Sequence, residues 1–397
     1  MKPTAPLPSD MMEATICILR DLIAFDTTSR NSNLALVSYI EKLASEHSLF
    51  VERIPDASGK KANVIVRVGP SAPGGIILSG HTDVVPVDGQ AWTSDPFVLI
   101  EREGRLYGRG TSDMKSFAAC ALASIIHVKP DSLKRPVYLA LSYDEEIGCL
   151  GAPDMIDHIV MKHPGIDAVI VGEPSGMKVV SSHKGIISYK VVVTGREGHS
   201  SLPHKGLSAN EVAIRLMNHL VELADQLQAN ADPHSPYEPG QATLTIGLIS
   251  GGTAFNILAQ NCEFSFDLRC RPEDDAEAIL APFLEEICHI DTLCRSAFPE
   301  CGVSITKLVD IPSYGGENNS SAIDLCAHFL GTNTKDKVVP YSSEGGQFQS
   351  RGLSTVICGP GMIEQAHQAD EFIEKSQLQL CLSFMSKILE YQVQPYE

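Results

Sequence analysis

A chain of 397 residues is longer than one ordinary domain, and two domains are expected. Hydrophobic residues make up 43% of it, enough for a sizeable core, yet no run approaches the roughly 20 apolar residues of a membrane span. The net charge of −18 excludes nucleic acid as an expected partner, because phosphate would be repelled, and is compatible with a cationic small substrate.

Residues 1–8 lack the apolar core of an export signal. The 11 cysteines include no Cys-x-x-Cys pair, so reduced, mostly buried thiols in a cytoplasmic protein are expected. In chain order, Asp10 is a candidate N-cap with Glu13 three residues on, and Met12, Ile16, Leu19 and Ile23 recur at helical spacing. Residues 62–68 and 75–78 are expected as strands, 116–127 as a helix, and 136–142 and 168–171 as further strands. This βα alternation predicts a mixed, mostly parallel sheet with helices on both faces.

The pattern changes after His183. Residues 187–194 predict a strand and 208–227 a long amphipathic helix, with Val212, Leu216, Leu220 and Leu223 on one face. Residues 229–239 are polar and Pro-containing, an expected exposed excursion. Residues 242–249 and 262–269 predict strands, and 272–288 a helix whose acidic start (Glu273, Asp274, Asp275) suits a helix N-terminus. With a last strand at 302–308 this forms a β-α-β-β-α-β unit, the split βαβ arrangement. The βα pattern then returns, with helices at 322–330 and 375–391 and a strand at 353–358. The expected division is therefore a discontinuous catalytic domain, 1–183 and 312–397, with residues 184–311 inserted.

Chemistry-bearing residues follow the predicted strands. Ile76-Ile77-Leu78 leads into Ser79-Gly80-His81-Thr82-Asp83, and Tyr138-Leu139-Ala140-Leu141 leads into Ser142-Tyr143-Asp144-Glu145-Glu146. Val169-Ile170-Val171 leads into Gly172-Glu173-Pro174, and Val356-Ile357-Cys358 into a Gly-Pro loop followed by His367. In open α/β sheets ligands bind outside the carboxyl ends of the strands. Asp83, two residues after His81, is placed to accept the other ring N–H of a metal-ligating imidazole; a turn with an Asp cap is the plainer alternative. Asp144-Glu145-Glu146 is either a solvated acidic turn or a carboxylate set that needs cations to offset its repulsion. Asp113 is either an N-cap or a carboxylate whose two oxygens bridge a pair of metals. Glu173 alone discriminates nothing.

Other designs lack support. Gly108-Arg109-Gly110-Thr111-Ser112-Asp113-Met114-Lys115 is Gly-rich before a helix but has neither nucleotide-binding spacing, and Asp113 would repel an anion. There is no His-Glu-x-x-His and no Gly-x-Ser-x-Gly, and Cys149 and Cys358 lack a nucleophile signature.

The ordered set from Ser79 to Pro86, Gly108 to Lys115, Asp144-Glu145-Glu146 and Gly172-Glu173-Pro174 resembles the co-catalytic zinc amidohydrolase family, over essentially the whole chain. That family includes acetylornithine deacetylases, succinyl-diaminopimelate desuccinylases, aminoacylases and glutamate carboxypeptidases. Tyr143–Cys149, Ser182-His183-Lys184-Gly185 and Gln365–Glu371 look most like its acetylornithine deacetylase branch.

The resemblance implies a zinc-exopeptidase-like fold with an inserted lid and dimerisation domain. It implies two divalent metal ions, zinc first with cobalt or manganese able to substitute. His81, Asp113 and Glu173 would hold one, and Asp113, Glu146 and His367 the other. Glu145 would be the general base, Asp83 would orient His81, and His199 would reach the partner subunit's site in a homodimer; an exposed strand end is the alternative for His199. Asn256 and Arg269 resemble substrate contacts. Glu344 is either the partner of a substrate ammonium or a solvated loop residue. The expected activity is deacetylation of N2-acetylornithine, a small N-acyl amino acid, in arginine biosynthesis. N-acetylcitrulline deacetylation, desuccinylation and a non-catalytic binding role are the alternatives; the intact ligand set argues against the last.

Overall fold

Short apolar runs alternating with helical stretches fold into a sheet whose central strands are buried along their length. The structure, a computed structural model, describes residues 10–163, 165–333 and 337–395. Residues 1–8, in which no export signal was expected, lie outside the described residues.

The chain forms two compact units: Met1–Ser182 with Gly315–Lys337 and Ser343–Glu397, and His183–Tyr314 with Val338–Ser342. The first begins with helices α1 (Met11–Ile23) and α2 (Leu34–Glu46) and strands β1 (Phe50–Pro55), β2 (Ala62–Val68) and β3 (Gly75–His81). Strands β4 (Ile100–Arg102) and β5 (Arg105–Tyr107) precede α3 (Lys115–His127), β6 (Val137–Ser142), α4 (Ala152–Lys162), β7 (Ile166–Pro174) and β8 (Val180–His183). The second unit contributes β9 (Gly185–Thr194), α5 (Ala209–Ala229), β10 (Thr243–Gly251), β11 (Asn261–Cys270), α6 (Ala276–Ala297) and β12 (Gly302–Ile311). Then come α7 (Ser320–Leu330), β13 (Lys337–Val339), α8 (Gly345–Ser350), β14 (Thr355–Gly359), β15 (Phe372–Glu374) and α9 (Lys375–Gln392).

The large sheet has the order β1-β2-β6-β3-β7-β14-β8-β13. Its centre, β6-β3-β7-β14, is parallel, and β1, β2 and β8 pair antiparallel at the flanks. Every residue of β3 and β6 is buried, as the continuous apolar runs require. Helix α3 is buried from Lys115 to Ile126, and Ala118, Ala119, Ala121 and Ala123 let it pack closely. Asp10 does cap α1, accepting from Glu13 N at 2.9 Å. Helices α2 and α4 and the edge strand β1 are additions to the elements expected from sequence.

The second unit is one antiparallel sheet, β10-β11-β9-β12, with α5 and α6, the split βαβ order. Its core joins Val191, Val193, Phe264 and Phe266 to Leu216, Leu220, Phe283 and Ile287. Helix α6 starts later than expected, because Asp274 closes a turn onto Arg271 N at 2.8 Å and Asp275 is the cap. It also runs nine residues further, since Ile290 and Cys294 continue the buried face.

Candidate metal centre

Because β3, β6, β7 and β14 are parallel, their carboxyl ends share one edge. His81 closes β3 in register with Ser142, which closes β6. The chain then turns through Asp144 (φ 55°), which delivers Glu145 and Glu146. Glu173 stands near the end of β7, and His367 follows β14 in a left-handed conformation (φ 60°). Asp113 stands just before α3. Close approach depends on Gly172, where a Cβ would lie 2.1 Å from the Phe117 ring, so no larger residue keeps β7 against α3.

Asp113 lies between the two imidazoles. His81 Nε2 is 3.1 Å from its Oδ1, and His367 Nε2 is 3.2 Å from its Oδ2. Glu173 Oε1 is 3.8 Å from His81 Nε2, and Glu146 Oε2 is 3.1 Å from His367 Nε2. His81, Asp113 and Glu146 can bring ligand atoms within 4.8 Å of one another, as can His81, Glu145 and Glu173. Ligand atoms about 2.1 Å from one tetrahedral ion are about 3.4 Å apart, close to these separations.

The charges are unbalanced. Asp83, Asp113, Glu145, Glu146 and Glu173 face two imidazoles. Burial raises the Glu145 carboxyl to about 8 and pushes Glu173 well above the usual range, with Asp113 adding to the second. Burial also raises Glu146. For Asp113, burial acts upward but is outweighed by hydrogen bonding to His367 and His81, so it stays low. Hydrogen bonds with Asp113 and Glu146 raise His367 to about 10. Buried Glu146 Oε1 and Glu173 Oε1 have no hydrogen-bond partner. Unpartnered carboxylate oxygens facing neutral-capable imidazoles are what cations would satisfy. The residues present fit two divalent ions.

Two expectations need correction. His81 Nδ1 is bonded to the backbone oxygen of Asp83 at 2.9 Å, and the Asp83 carboxylate is 3.6 Å away. That carboxylate instead accepts from Ser29 Oγ (2.7 Å), Glu145 N (3.1 Å) and Glu146 N (3.3 Å). Asp83 therefore holds the Glu145-Glu146 turn with its side chain and His81 with its backbone. Glu344 is neither solvated nor open to a substrate ammonium. It is fully buried, accepting from Ser79 Oγ at 2.5 Å and Ser142 Oγ at 2.9 Å.

Sequence reasoning missed Glu371 as a functional residue. Its buried carboxylate accepts from the backbone N–H groups of Gly110 (3.0 Å), Ser112 (2.8 Å) and Asp113 (3.1 Å) and pairs with Arg109 at 2.7 Å. The Gly-rich loop does bind an anion, and the anion is the protein's own. Cys149 is buried, as expected, and its thiol donates to Glu145 Oε1 at 3.2 Å. Gln90 holds the His367 carbonyl at 2.8 Å.

The other candidates lie in the second unit. His199 and Asn256 are exposed neighbours: His199 bridges Ile257, and Ser200 N donates to the Asn256 carbonyl at 3.0 Å. Ser201 donates to His199 Nδ1 at 2.8 Å when its hydroxyl is the donor. Arg269 Nε is 3.2 Å from Asp267 on the same face of β11.

An aspartate shared by two imidazole–carboxylate sets at the carboxyl edge of a parallel sheet suits a dinuclear metal-dependent hydrolase. The chain belongs to Peptidase family M20/M25/M40, whose profile matches residues 77–391, and that match makes the enzyme an amide hydrolase. It is 33% identical over 374 residues to a protein of Proteus mirabilis named acetylornithine deacetylase, covering 92% of each chain. Its fold is similar to an M20 family metallo-carboxypeptidase of Sulfolobus solfataricus (TM-score 0.73, 17% identity, 96% and 99% of the two chains). It is also similar to a dinuclear metal binding peptidase of Bacillus subtilis from the same family (TM-score 0.63, 16% identity, 96% and 99%). Among the described residues no helix is long and apolar enough to cross a membrane.

Proposed function

We propose that this enzyme hydrolyses the amide of N2-acetyl-L-ornithine to ornithine and acetate, a step of arginine biosynthesis in the cytoplasm. The observation that carries the chemistry is Asp113, with one oxygen toward each of two histidine–carboxylate sets. The substrate is supported by the name of the Proteus mirabilis relative.

His81, Asp113 and Glu173 would hold one divalent ion and Asp113, Glu146 and His367 the other, zinc first for this nitrogen and oxygen set. When bound, the ions supply Lewis acidity to the amide carbonyl and to the attacking water. Glu145 is the general base. Its Oε1 takes the Cys149 thiol, so Oε2 is the oxygen that takes the water's proton and passes it to the leaving nitrogen. Asp83 keeps Glu145 in place through its backbone N–H. Arg269 would pair with the substrate α-carboxylate, and Asn256 would be a further substrate contact.

A homodimer is part of this reading. Strand β10 is a sheet edge carrying Leu248 and Ile249, 71% and 63% exposed, a surface suited to a second copy of the chain. His199 would then act in the partner's site, stabilising the oxyanion. Mixing Glu145→Gln subunits with His199→Ala subunits should restore part of the activity; no recovery, after subunit exchange is shown by mass, removes His199 from that role.

The substrate is tested by kcat/KM on acetylornithine, acetylcitrulline and succinyl-diaminopimelate. Acetylornithine should be hydrolysed fastest. Faster turnover of either competitor overturns the ornithine assignment and leaves the hydrolase chemistry standing.

A further inference from the structure

A second group of ligand-type side chains lies at the far edge of the large sheet, on β1 and α4. Strand β1 is three strands from β3, about 14 Å at the usual strand spacing. Glu52 projects from β1, His158 from the last turns of α4, and His163 is the C-cap of α4. Five residues apart on a continuous helix, the two imidazoles would diverge. The cap leaves helical geometry (φ −126°, ψ 69°), and both rings converge on one carboxylate.

His163 Nε2 is 2.7 Å from Glu52 Oε2, and His158 Nε2 is 3.3 Å from Glu52 Oε1. Ligand atoms of all three lie within 4.8 Å of one another. The Glu52 carboxylate pairs closely with His163 and more loosely with His158. The His158 Nε2 atom is buried and, despite its distance, makes no hydrogen bond in acceptable geometry. A cation held between it and Glu52 would satisfy that nitrogen.

We infer that Glu52, His158 and His163 form a divalent transition-metal site separate from the catalytic centre. Two imidazole nitrogens and one carboxylate are a zinc-type donor set, and nitrogen ligands disfavour magnesium and calcium. The negative end of α4 adds to the attraction, since the helix stops at Lys162. Arg67 does not compete: its guanidinium is turned onto the Phe50 ring, 4.4 Å from the centroid, and bonds the Tyr138 hydroxyl. The His163 ring is held by Tyr138, with centroids 5.0 Å apart. The Glu52 and His158 side chains are each 25% exposed, so a water can complete four-coordination from the solvent side. The ion would tie edge strand β1 to the end of α4.

The test strips the full-length protein with chelator, reloads it with Zn2+ or Co2+, and counts bound ions by elemental analysis. Glu52→Gln and His158→Asn change partly exposed side chains and should each hold one ion fewer per chain than the wild type. Hydrolase activity should stay within about twofold, and the Co2+ protein should lose one set of absorption bands near the visible range. Asp113→Ala, which dismantles the catalytic centre, should keep this ion, so failure of one site is distinguishable from failure of the other. Equal metal content in the wild type, Glu52→Gln and His158→Asn, with unchanged far-UV dichroism, overturns the site and leaves an ion pair.

Discussion

Glu371 and Glu173 are buried carboxylates near Asp113, and their surroundings differ in kind. The first is bonded to the Asp113 backbone N–H, behind it, and the second lies beside the imidazole that the Asp113 side chain meets, in front. Behind Asp113, Glu371 has both oxygens engaged, by Arg109 and by three backbone N–H groups. On the strand edge in front, Glu173 Oε1 and Glu146 Oε1 are buried with no hydrogen-bond partner. A buried charge is tolerated when donors surround it and is costly when they do not. The rear carboxylate is therefore a structural part that shapes the Asp113 loop. The front ones are complete only with something positive between them. The comparison separates what holds the site from what does the chemistry, and substitutions on each side should fail differently.

The largest effect is expected in front. Glu145→Gln keeps the size of the side chain and removes the proton acceptor, so turnover should fall about 10²–10⁴-fold. Metal content by elemental analysis and the denaturation midpoint should stay close to the wild type. Near-normal turnover with full metal occupancy would take the general-base role from Glu145 and blur the division.

How much of this is legible in the sequence depends on how far a residue's partners lie along the chain. His81 stands out locally, at a strand end with Asp83 two residues on, whereas Glu146 and Glu173 stand out only as members of the ordered motif set, since a carboxylate at a strand end discriminates nothing alone. Asp83 is half legible: its proximity to His81 is local, but which atom binds the imidazole is set by the turn, and the backbone oxygen wins. Glu344 is illegible, since Ser79 and Ser142 lie 265 and 202 residues away. Glu371 has partners 258 to 262 residues away. A signal for it exists in the Gly-rich stretch ahead of α3, whose Gly110, Ser112 and Asp113 amides converge on one acceptor even though Asp113 argues against phosphate. In the fold, the central strands are legible as unbroken apolar runs. Edge strand β1 is not, because it buries none of its residues; helix α4 does carry an amphipathic stripe through Met155, Ile156 and Ile159, and sequence reasoning passed over it.

Behind Asp113, Glu371→Gln should cost stability first and activity second. It leaves the buried Arg109 guanidinium without its charge partner, and breaking such a pair costs about 3–5 kcal/mol. The readout is the urea midpoint of the metal-loaded protein, with metal affinity falling as the Asp113 loop loosens. An unchanged midpoint combined with a Glu145-like loss of turnover would make Glu371 part of the chemistry and collapse the comparison.

The smallest effect concerns Glu344, buried like Glu371 but bonded only by two hydroxyls. Burial raises its carboxyl from an ordinary 4.5 to about 7, partly offset by the Ser79 and Ser142 hydrogen bonds. A carboxyl whose folded value lies above its unfolded value binds more protons in the folded state. Its contribution to stability is therefore full below about pH 4.5 and is lost as pH rises through about 7. Glu344→Gln removes that dependence. In metal-free protein, the stability difference between variant and wild type should shift in the variant's favour between pH 4.5 and pH 8, by on the order of 3 kcal/mol. Denaturation at the two pH values measures it, and a pH-independent difference would show that Glu344 does not titrate in this window. Because the carboxylate is closed off from substrate, the same variant should lose acetylornithine and acetylcitrulline turnover in equal proportion. A loss confined to acetylornithine would return Glu344 to the substrate ammonium and show that this buried carboxylate opens when the enzyme works.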